Sequence, residues 1–282
     1  MQVLTISCSL LVLLIAAGLL LKSKSILSLK PLSELLFSSS WQPMKNNFGF
    51  FPFIMGTLWV TGVAVIIAVP LSLLTAIFLS EYAHKRIREW AKPLIDLLAG
   101  IPSVIFGVWG VLVIVPLIKN KIAPLFGKFS SGYSVLTAGI VLAIMIFPVI
   151  IHVTMEVLGV VPYELREASW SLGATKWHTI KHVVLRKSVP GIIAANVLGL
   201  SRAFGETMAV LMVAGNVARV PTSVLDPAYP LPALIANNYG EMLSIPLYDS
   251  ALLLAALILF VMVLFFSILS RVVLIGVKRR IQ

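Results

Sequence analysis

Long apolar runs alternate with short polar segments along the whole chain. A helix that crosses the hydrocarbon core of a bilayer needs about 20 apolar residues. Six runs reach that length, at residues 3–21, 53–80, 94–118, 134–158, 188–215 and 248–275. Backbone polar groups in lipid must pair within their own segment, so each run predicts a helix, and no alternation of period two suggests a strand. The pattern predicts an all-α polytopic membrane protein with six transmembrane helices.

The composition supports a place in the membrane. Hydrophobic residues make up 59% of the 282 residues, the mean hydropathy is +1.03, and only 12% of residues are charged. That charged share is about half the usual one for a soluble domain, so the chain could not cover a water-soluble globule. The net charge is +11, but the basic residues cluster in short loops. We therefore expect membrane lipid around the chain and no nucleic-acid partner.

Two further expectations concern the chain's ends and its chemistry. The first apolar run lacks a basic start and a clear small-x-small cleavage site, so we expect it to be retained as a helix. It forms, with the outer loop that follows, a predicted segment 1–49, and residues 50–282 form a predicted core with five spans. The single cysteine, Cys8, has no metal-ligand spacing around it, and we expect neither a metal nor another cofactor.

Lysine and arginine residues set the predicted orientation of the spans. Thirteen of them lie in segments 81–93 and 159–187 and from residue 271 to the C-terminus, whereas eight lie in the segments of the opposite side. Loops rich in these residues stay in the cytoplasm. The bias predicts that both termini are cytoplasmic.

Two segments of the opposite side differ in character. Aromatic residues crowd the end of segment 22–52 and the start of the next helix, which is typical of a belt at the membrane interface: Trp41, Phe48, Phe50, Phe51 and Phe53. Segment 216–247 carries five prolines and is too polar and too interrupted to span. It could be a docking surface, a partial gate or a plain loop.

The long cytoplasmic loop 159–187 predicts two helices joined by a glycine turn. Residues 163–172 have helical spacing after Pro162, Gly173 fits a C-terminal cap, and Thr175 fits the N-cap of a second helix. The first helix could dock into a partner or could anchor the loop at the interface. His178 and His182 lie four residues apart in the second helix, but no acidic residue completes a zinc site, which favours a solvated helix face.

The fifth apolar run carries two charges, Arg202 and Glu206, among small residues. Their spacing of four predicts a shared helix face. Each charge costs about 2.5–3.5 kcal/mol at the bilayer centre, so the pair suggests function. A structural ion pair, a proton relay through Glu206, and an anion site all remain open. In the anion site the Arg202 fork would bind an oxyanion while Glu206 holds it between passages.

Other chemistry finds little support in the sequence. Ser201 lies in G-x-S-x-A rather than a nucleophile elbow, and no histidine in the same run could act as its base. No G-x-x-x-x-G-K-[ST] loop is present, so we expect the chain neither to bind ATP in that way nor to be an enzyme on its own. Asp96 follows Lys92-Pro93 at the start of the third run, which suggests a cap-like or interfacial role.

Two motifs resemble a known family. Glu167-Ala168-Ser169 and Gly173, followed after nine residues by Val183-Val184-Leu185, resemble the E-A-A-x3-G-x9-I-x-L-P signature of ABC importer permeases, with Ser169, Val183 and Arg186 replacing Ala, Ile and Pro. Arg202-Ala203-Phe204-Gly205-Glu206 resembles the R-A-x-G-E motif of the oxyanion branch. The continuation T-M-A-V and the closing Gly215-Asn216 are similar to phosphate permeases, as are stretches 68–83 and 92–116, although Asp96 stands where the family usually has Glu.

The resemblance implies a MetI-like ABC importer permease fold in a bacterial or archaeal cytoplasmic membrane. It implies a second permease subunit, two cytoplasmic ATPase subunits and an extracytoplasmic phosphate-binding protein as partners. The residues it implies for ATPase coupling are Leu165, Glu167, Ala168 and Gly173, and those for the substrate pathway are Ser201, Arg202, Glu206 and Thr207. Transport of another oxyanion such as sulfate, or proton-coupled secondary transport, is the alternative.

Overall fold

The computed structural model describes residues 2–240, 245 and 247–281, except for the side chains of residues 2–6, 8, 9 and 277–281. Six of its helices are long and apolar enough to cross a membrane, which confirms the predicted number of spans and the all-α class. The expectation about Cys8 concerns a side chain outside the described set, and Pro246 also lies outside it.

The described helices follow one another with short connections. In chain order they are α1 (Gln2–Leu29), α2 (Leu32–Phe37), α3 (Phe51–Tyr82), α4 (Lys85–Gly100), α5 (Ser103–Leu125), α6 (Val135–Gly159), α7 (Tyr163–Ser171), α8 (Lys176–Gly205), α9 (Met208–Val213), α10 (Leu231–Asn238) and α11 (Tyr248–Ile281). Two strands that the pattern did not predict, β1 (Trp41–Gln42) and β2 (Asn47–Phe48), pair antiparallel around the 3₁₀ turn Pro43–Lys45.

Several helices contain wider, π-helical turns. These turns are Phe78–Tyr82 at the end of α3, Gly110–Ile114 and Ile118–Ile122 in α5, and Ile180–Val184 in α8. Both turns of α5 end two residues before a proline, Pro116 or Pro124. Proline has no N–H for the normal helical bond, so the backbone before it takes a different hydrogen-bond pattern.

Two predicted span boundaries are wrong. The third run was expected to start near residue 94, but α4 ends at Gly100 and the span starts at Ser103. Ile101 is extended there, with φ −66° and ψ 128°, because Pro102 crowds a helical conformation of the residue before it. The fifth run was expected to continue to residue 215, but α8 ends at Gly205 and the short α9 follows.

Packing divides the chain into two compact units. Unit one comprises residues 1–60, 107–138 and 206–264, and unit two comprises residues 61–106, 139–205 and 265–282. Both units combine distant parts of the sequence, so each depends on contacts between helices rather than on neighbours along the chain.

An aromatic cluster forms the core of unit one. The Trp41 ring lies 4.9 Å from that of Phe53 and 5.6 Å from those of Phe48 and Phe50, measured between centroids. Phe50 and Phe53 are completely buried, so the expected interfacial belt is wrong for them. The β1–β2 hairpin folds these rings over the start of α3, where they pack on Tyr248 of α11 and bury apolar area.

The described part of segment 216–247 is folded onto unit one and is not a plain loop. The N–H of Asn216 donates to the carbonyl of Ala228 at 3.1 Å, and the N–H of Ala228 donates to the carbonyl of Ala214 at 2.9 Å. Asp226 accepts from the hydroxyl and N–H of Thr222 and from the N–H of Ser223 at 2.8, 3.0 and 2.9 Å. Burial raises the pKa of Asp226, but these hydrogen bonds and nearby Lys128 outweigh it and leave the pKa below its ordinary 3.8. An ionised carboxylate therefore ties this turn at neutral pH.

Small residues let α6 and α8 approach closely in unit two. A methyl group added at Gly199 would lie 2.6 Å from Ile150 Cγ1, and one added at Gly191 would collide with the branched side chain of Val157. Small residues at such positions let two spans pack closely, here Gly199 of α8 against Ile150 of α6.

Asp96 does not cap a helix. It lies in the second half of α4, and its carboxylate is 3.7 Å from Nδ1 of His152 in α6. The predicted cap-like role fails because α4 begins at Lys85, so that the first turn lies well before Asp96.

Gly191 provides a test of this packing. We expect Gly191→Ala to destabilise the complex by about 1–3 kcal/mol, since β-branched Val157 has no free rotamer to make room. Val157→Ala in the same chain should recover much of the loss. Gly62→Ala in α3 is the matched control, because a methyl group there meets nothing within 4 Å. Thermal unfolding of the detergent-solubilised protein measures the stability of each variant. Equal melting temperatures of Gly191→Ala and Gly62→Ala would contradict the packing.

Candidate functional site

The residues predicted to couple to an ATPase lie on α7 and the turn after it. Pro162 occupies the N-cap, and α7 ends at Ser171, one residue earlier than predicted. The Gly173 N–H donates to the Trp170 carbonyl at 2.9 Å, and Gly173 has a φ of +81°, which confirms its place as the C-terminal cap. Only glycine takes this left-handed conformation without strain, so the turn depends on it.

The next helix starts as the sequence predicts. Thr175 Oγ1 accepts a hydrogen bond from the His178 N–H at 3.3 Å and caps α8. The hydroxyls of Ser169 and Thr179 lie 2.9 Å apart and join α7 to α8. Ser169 departs from the alanine of the family motif, and its hydroxyl gives this chain a link that an alanine could not make.

All four predicted coupling residues lie on the surface. Leu165, Glu167, Ala168 and Gly173 are exposed, and Leu172 beside them is 89% exposed. A short helix that offers apolar and acidic side chains to solvent can insert into a groove of a protein partner. His178 and His182 stack with ring centroids 4.2 Å apart on the same exposed side. No third candidate ligand joins them within the part of the chain that the structure describes.

The opposite side of α7 holds a charged residue whose role the sequence did not reveal. Arg166 Nη2 lies 2.7 Å from Glu81 Oε1, and the two side chains are only 11% and 9% exposed. Arg166 also donates to the carbonyls of Val161 at 2.6 Å and Leu158 at 3.2 Å. The only sequence signal was an acidic residue, Glu81, at the end of a long apolar run. Its partner lies 85 positions later, so the pattern could not identify it.

Two more basic side chains contact the C-terminal end of α3. Arg88 of α4 donates from Nε to the Leu79 carbonyl at 2.9 Å and from Nη2 to the Ser80 carbonyl. Lys176 of α8 lies 4.6 Å above the centre of the Tyr82 ring. The last carbonyls of a helix have no partner within the helix, and Arg88 supplies one to Leu79 and one to Ser80.

The predicted pathway residues lie in the last turn of α8 and directly after it along the chain. Arg202 is exposed on the last turn, Ser201 is half-buried, and Glu206 and Thr207 follow the helix and are half-buried. An exposed guanidinium on a spanning helix is costly against lipid, so it requires water or another subunit beside it.

The predicted helix face shared by Arg202 and Glu206 is wrong. The helix ends at Gly205, and Glu206 Oε1 instead accepts a hydrogen bond from the Ala209 N–H at 3.1 Å. Arg202 has no ion-pair partner among the described residues under a limit of 4.0 Å. Glycine disfavours the helix, and the free N–H groups at the start of α9 attract the carboxylate.

Comparisons with known proteins agree with this architecture. The family described as "Binding-protein-dependent transport system inner membrane component" matches residues 68–279. A Xylella fastidiosa protein named "Phosphate transport system permease protein PstC" is 39% identical, covering 86% of this chain and 79% of its own length. A protein of that name from Mesorhizobium japonicum is 38% identical, covering 87% and 79%. An inward-facing structure of the MetNI methionine ABC transporter matches in fold with a TM-score of 0.58 at 19% identity, covering 88% of this chain and 98% of that one.

Proposed function

Because the chain belongs to the family of binding-protein-dependent transport system inner membrane components, we propose that it carries inorganic phosphate as one permease subunit of an ATP-driven importer. Its six apolar helices and its family make it a multi-pass inner membrane protein. It is a transport subunit and not an enzyme, since ATP hydrolysis in this family belongs to a separate subunit.

The proposal that phosphate is the substrate rests on one observation. Relatives that match over most of their length share a name that states phosphate transport. Proteins named as phosphate transport permeases are 39% identical in Xylella fastidiosa and 38% identical in Mesorhizobium japonicum. The motif from Arg202 to Val210 supports the same substrate. We propose no second substrate, and sulfate is the competitor that the experiment must exclude.

We assign the phosphate contact to Arg202. A guanidinium offers paired donors that match two oxygens of an oxyanion. Its exposure on a spanning helix fits a position on a water-filled path. Ser201 precedes Arg202 in the chain and Thr207 follows the end of α8, and we propose that both belong to the same pathway. Binding at such a site must stay weak so that the ion can leave.

Glu206 takes a different role from the one its spacing suggested. Its carboxylate accepts a hydrogen bond from the Ala209 N–H in the first turn of α9. This contact favours the interruption of the helix after Gly205. The break leaves Arg202 on a helix end rather than inside a continuous span. The proposed role of Glu206 is therefore to hold this interruption between the two helices. Its carboxylate could pair with phosphate-free Arg202 only after moving away from the Ala209 N–H.

The remaining subunits follow from the same proposal. A second, PstA-type permease completes the pathway, an extracytoplasmic binding protein delivers phosphate, and two ATPase subunits dock onto α7 through Leu165, Glu167, Ala168 and Gly173. Docking from the cytoplasm requires loop 159–187 to lie inside, which agrees with the basic residues of the loops. We therefore propose that both termini are cytoplasmic. The division between segments 1–49 and 50–282 stays a prediction.

Uptake of labelled phosphate into vesicles tests the function. The vesicles hold this chain with its permease partner, ATPase and binding protein, and ATP is placed on one face at a time. We expect uptake only with ATP on the cytoplasmic face and no inhibition by excess sulfate. Inhibition by sulfate would assign a broader oxyanion site. Uptake that needs a proton gradient and no ATP would indicate secondary transport instead.

Arg202 is tested by substitution within the same vesicles. Arg202→Gln should lower uptake at least about tenfold, because losing a charge-assisted contact costs about 1.5–3 kcal/mol. Arg202→Lys should retain the charge but lose the paired donor geometry, so its phosphate uptake should lie between that of wild type and that of Arg202→Gln. The control is Arg219→Gln in the outer segment, which should change little. Wild-type uptake by Arg202→Gln in an assembled complex would refute the assignment.

Two substitutions at Glu206 separate its capping role from its charge. Glu206→Gln keeps an oxygen that can accept from the Ala209 N–H, whereas Glu206→Ala does not. If capping is the main role, the alanine variant should lose thermal stability by about 0.5–2 kcal/mol and the glutamine variant much less. Equal stability of the two variants would contradict the capping role.

Gly173 tests the docking surface. Gly173→Leu forces a branched side chain into a left-handed conformation and should lower recovery of the ATPase with the membrane complex severalfold. Gly173→Asn is the matched control, since asparagine tolerates this conformation better. Unchanged recovery with Gly173→Leu would show that the turn does not matter for docking.

A further inference from the structure

A single buried side chain fixes α7. The helix has nine residues, and within it only Arg166 is buried. Isolated helices this short are unstable in water, so contacts with neighbouring elements must set the position of α7. Most of its other residues are exposed. Arg166 is therefore the one buried side chain through which α7 contacts other elements among the described residues.

The contacts of Arg166 lead to two membrane-spanning helices. Nη2 meets Glu81 at 2.7 Å in the last turn of α3 and the Leu158 carbonyl at 3.2 Å in the last turn of α6. Nη1 meets the Val161 carbonyl at 2.6 Å, directly after α6. The planar guanidinium has rigid donor directions, so these acceptors fix both its position and its angle.

A lighter contact joins α7 to a third span. The Ser169 and Thr179 hydroxyls meet at 2.9 Å, and Thr179 also donates to the Thr175 carbonyl at 3.2 Å at the start of α8. This contact is one hydrogen bond between neutral groups. Arg166 therefore makes the stronger attachment, since ionised groups form the stronger hydrogen bonds.

The burial of this pair is hard to explain by stability alone. Two apolar side chains in the same place would avoid the cost of removing both charges from water. The advantage of the ion pair is geometric. Three directed hydrogen bonds of Arg166 permit one arrangement of α7, whereas apolar side chains would permit several. A helix that transmits movement needs such a unique arrangement.

We propose that Arg166 is a positioning residue that makes α7 move as one body with the cytoplasmic ends of α3 and α6 when ATPase subunits close. The displacement passes from the exposed side of α7 through the guanidinium to Glu81 and to the end of α6. Without the pair, α7 tilts on its own and ATP hydrolysis is no longer converted fully into transport. This inference rests on the proposed function, because it takes ATPase docking on α7 as given.

The first experiment measures coupling in reconstituted vesicles with the binding protein present. Glu81→Gln keeps the shape and removes the charge. We expect its ATP hydrolysis to stay within about twofold of wild type and its phosphate uptake per ATP to fall about tenfold, a typical coupling factor. Arg166→Lys keeps the charge but cannot reach all three acceptors. Its phosphate uptake per ATP should therefore fall less than that of Glu81→Gln.

Glu89→Gln is the matched control for the first experiment. Glu89 pairs with Lys85 at 3.9 Å on neighbouring α4, and both side chains are exposed, at 60% and 90%. It should retain wild-type coupling. If Glu81→Gln has the coupling ratio of wild type, or if uptake and hydrolysis fall in equal proportion, Arg166 has only a structural role and the proposal is wrong. Should Glu81→Gln fail to assemble, Arg166→Lys carries the same test.

The second experiment measures the movement itself. Spin labels go on Phe78→Cys in α3 and Leu172→Cys after α7, both exposed in the structure, in a Cys8→Ser chain within the complete complex. The distance between them should stay the same in nucleotide-free and ATP-trapped complexes. Adding Glu81→Gln should make it differ between the two states. A distance that already changes with ATP in the unsubstituted pair would overturn the proposal.

The two experiments also separate this inference from the proposed substrate. If the chain transports another anion, the wild-type complex itself shows no phosphate uptake, while the label distances still report on α7. If only the coupling inference is wrong, wild-type uptake is normal and Glu81→Gln matches it.

Discussion

The buried ion pair between Arg166 and Glu81 is the interaction that attaches the short helix α7 to the membrane-spanning helix α3. Helix α7 has nine residues and would be unstable in isolation. Its exposed residues include those that the family motif assigns to a partner. One guanidinium therefore carries the attachment to α3 and α6. The π-helical end of α3 serves this arrangement, since it presents Glu81 to Arg166 and its last carbonyls to Arg88. Charge and backbone geometry act together at this end of the membrane.

The two interrupted helices show the same dependence on backbone chemistry. Pro102 separates α4 from α5, and Gly205 with Glu206 separates α8 from α9. Interrupted backbone inside a membrane is tolerated only where protein or water can satisfy its polar groups. The second interruption leaves exposed Arg202 at a helix end.

Close packing provides the rigid background for both features. Gly191 and Gly199 let α6 meet α8 without intervening side chains, and Trp41 gathers aromatic residues over the start of α3. Lipid offers no hydrophobic force between helices, so contact area and small residues must supply the attraction. Segment 216–247 contributes in another way, since the hydrogen bonds to Asp226 and the backbone hydrogen bonds of Ala228 hold its described part within unit one.

The sequence by itself determined the number of spans, the helix–turn–helix of the cytoplasmic loop and the family. These features depend on apolar length, on the φ that Gly173 alone allows easily, on the Thr175 cap and on local motifs, all of which lie within a few residues. Only the tertiary structure decided that Glu81 pairs with Arg166, that Glu206 caps α9 instead of facing Arg202, and that the aromatic residues near Trp41 are core. Each of these results from competition between partners distant in the chain or at a helix end. Hydropathy and spacing record which residues are polar, whereas the choice among possible partners depends on distances that exist only after folding.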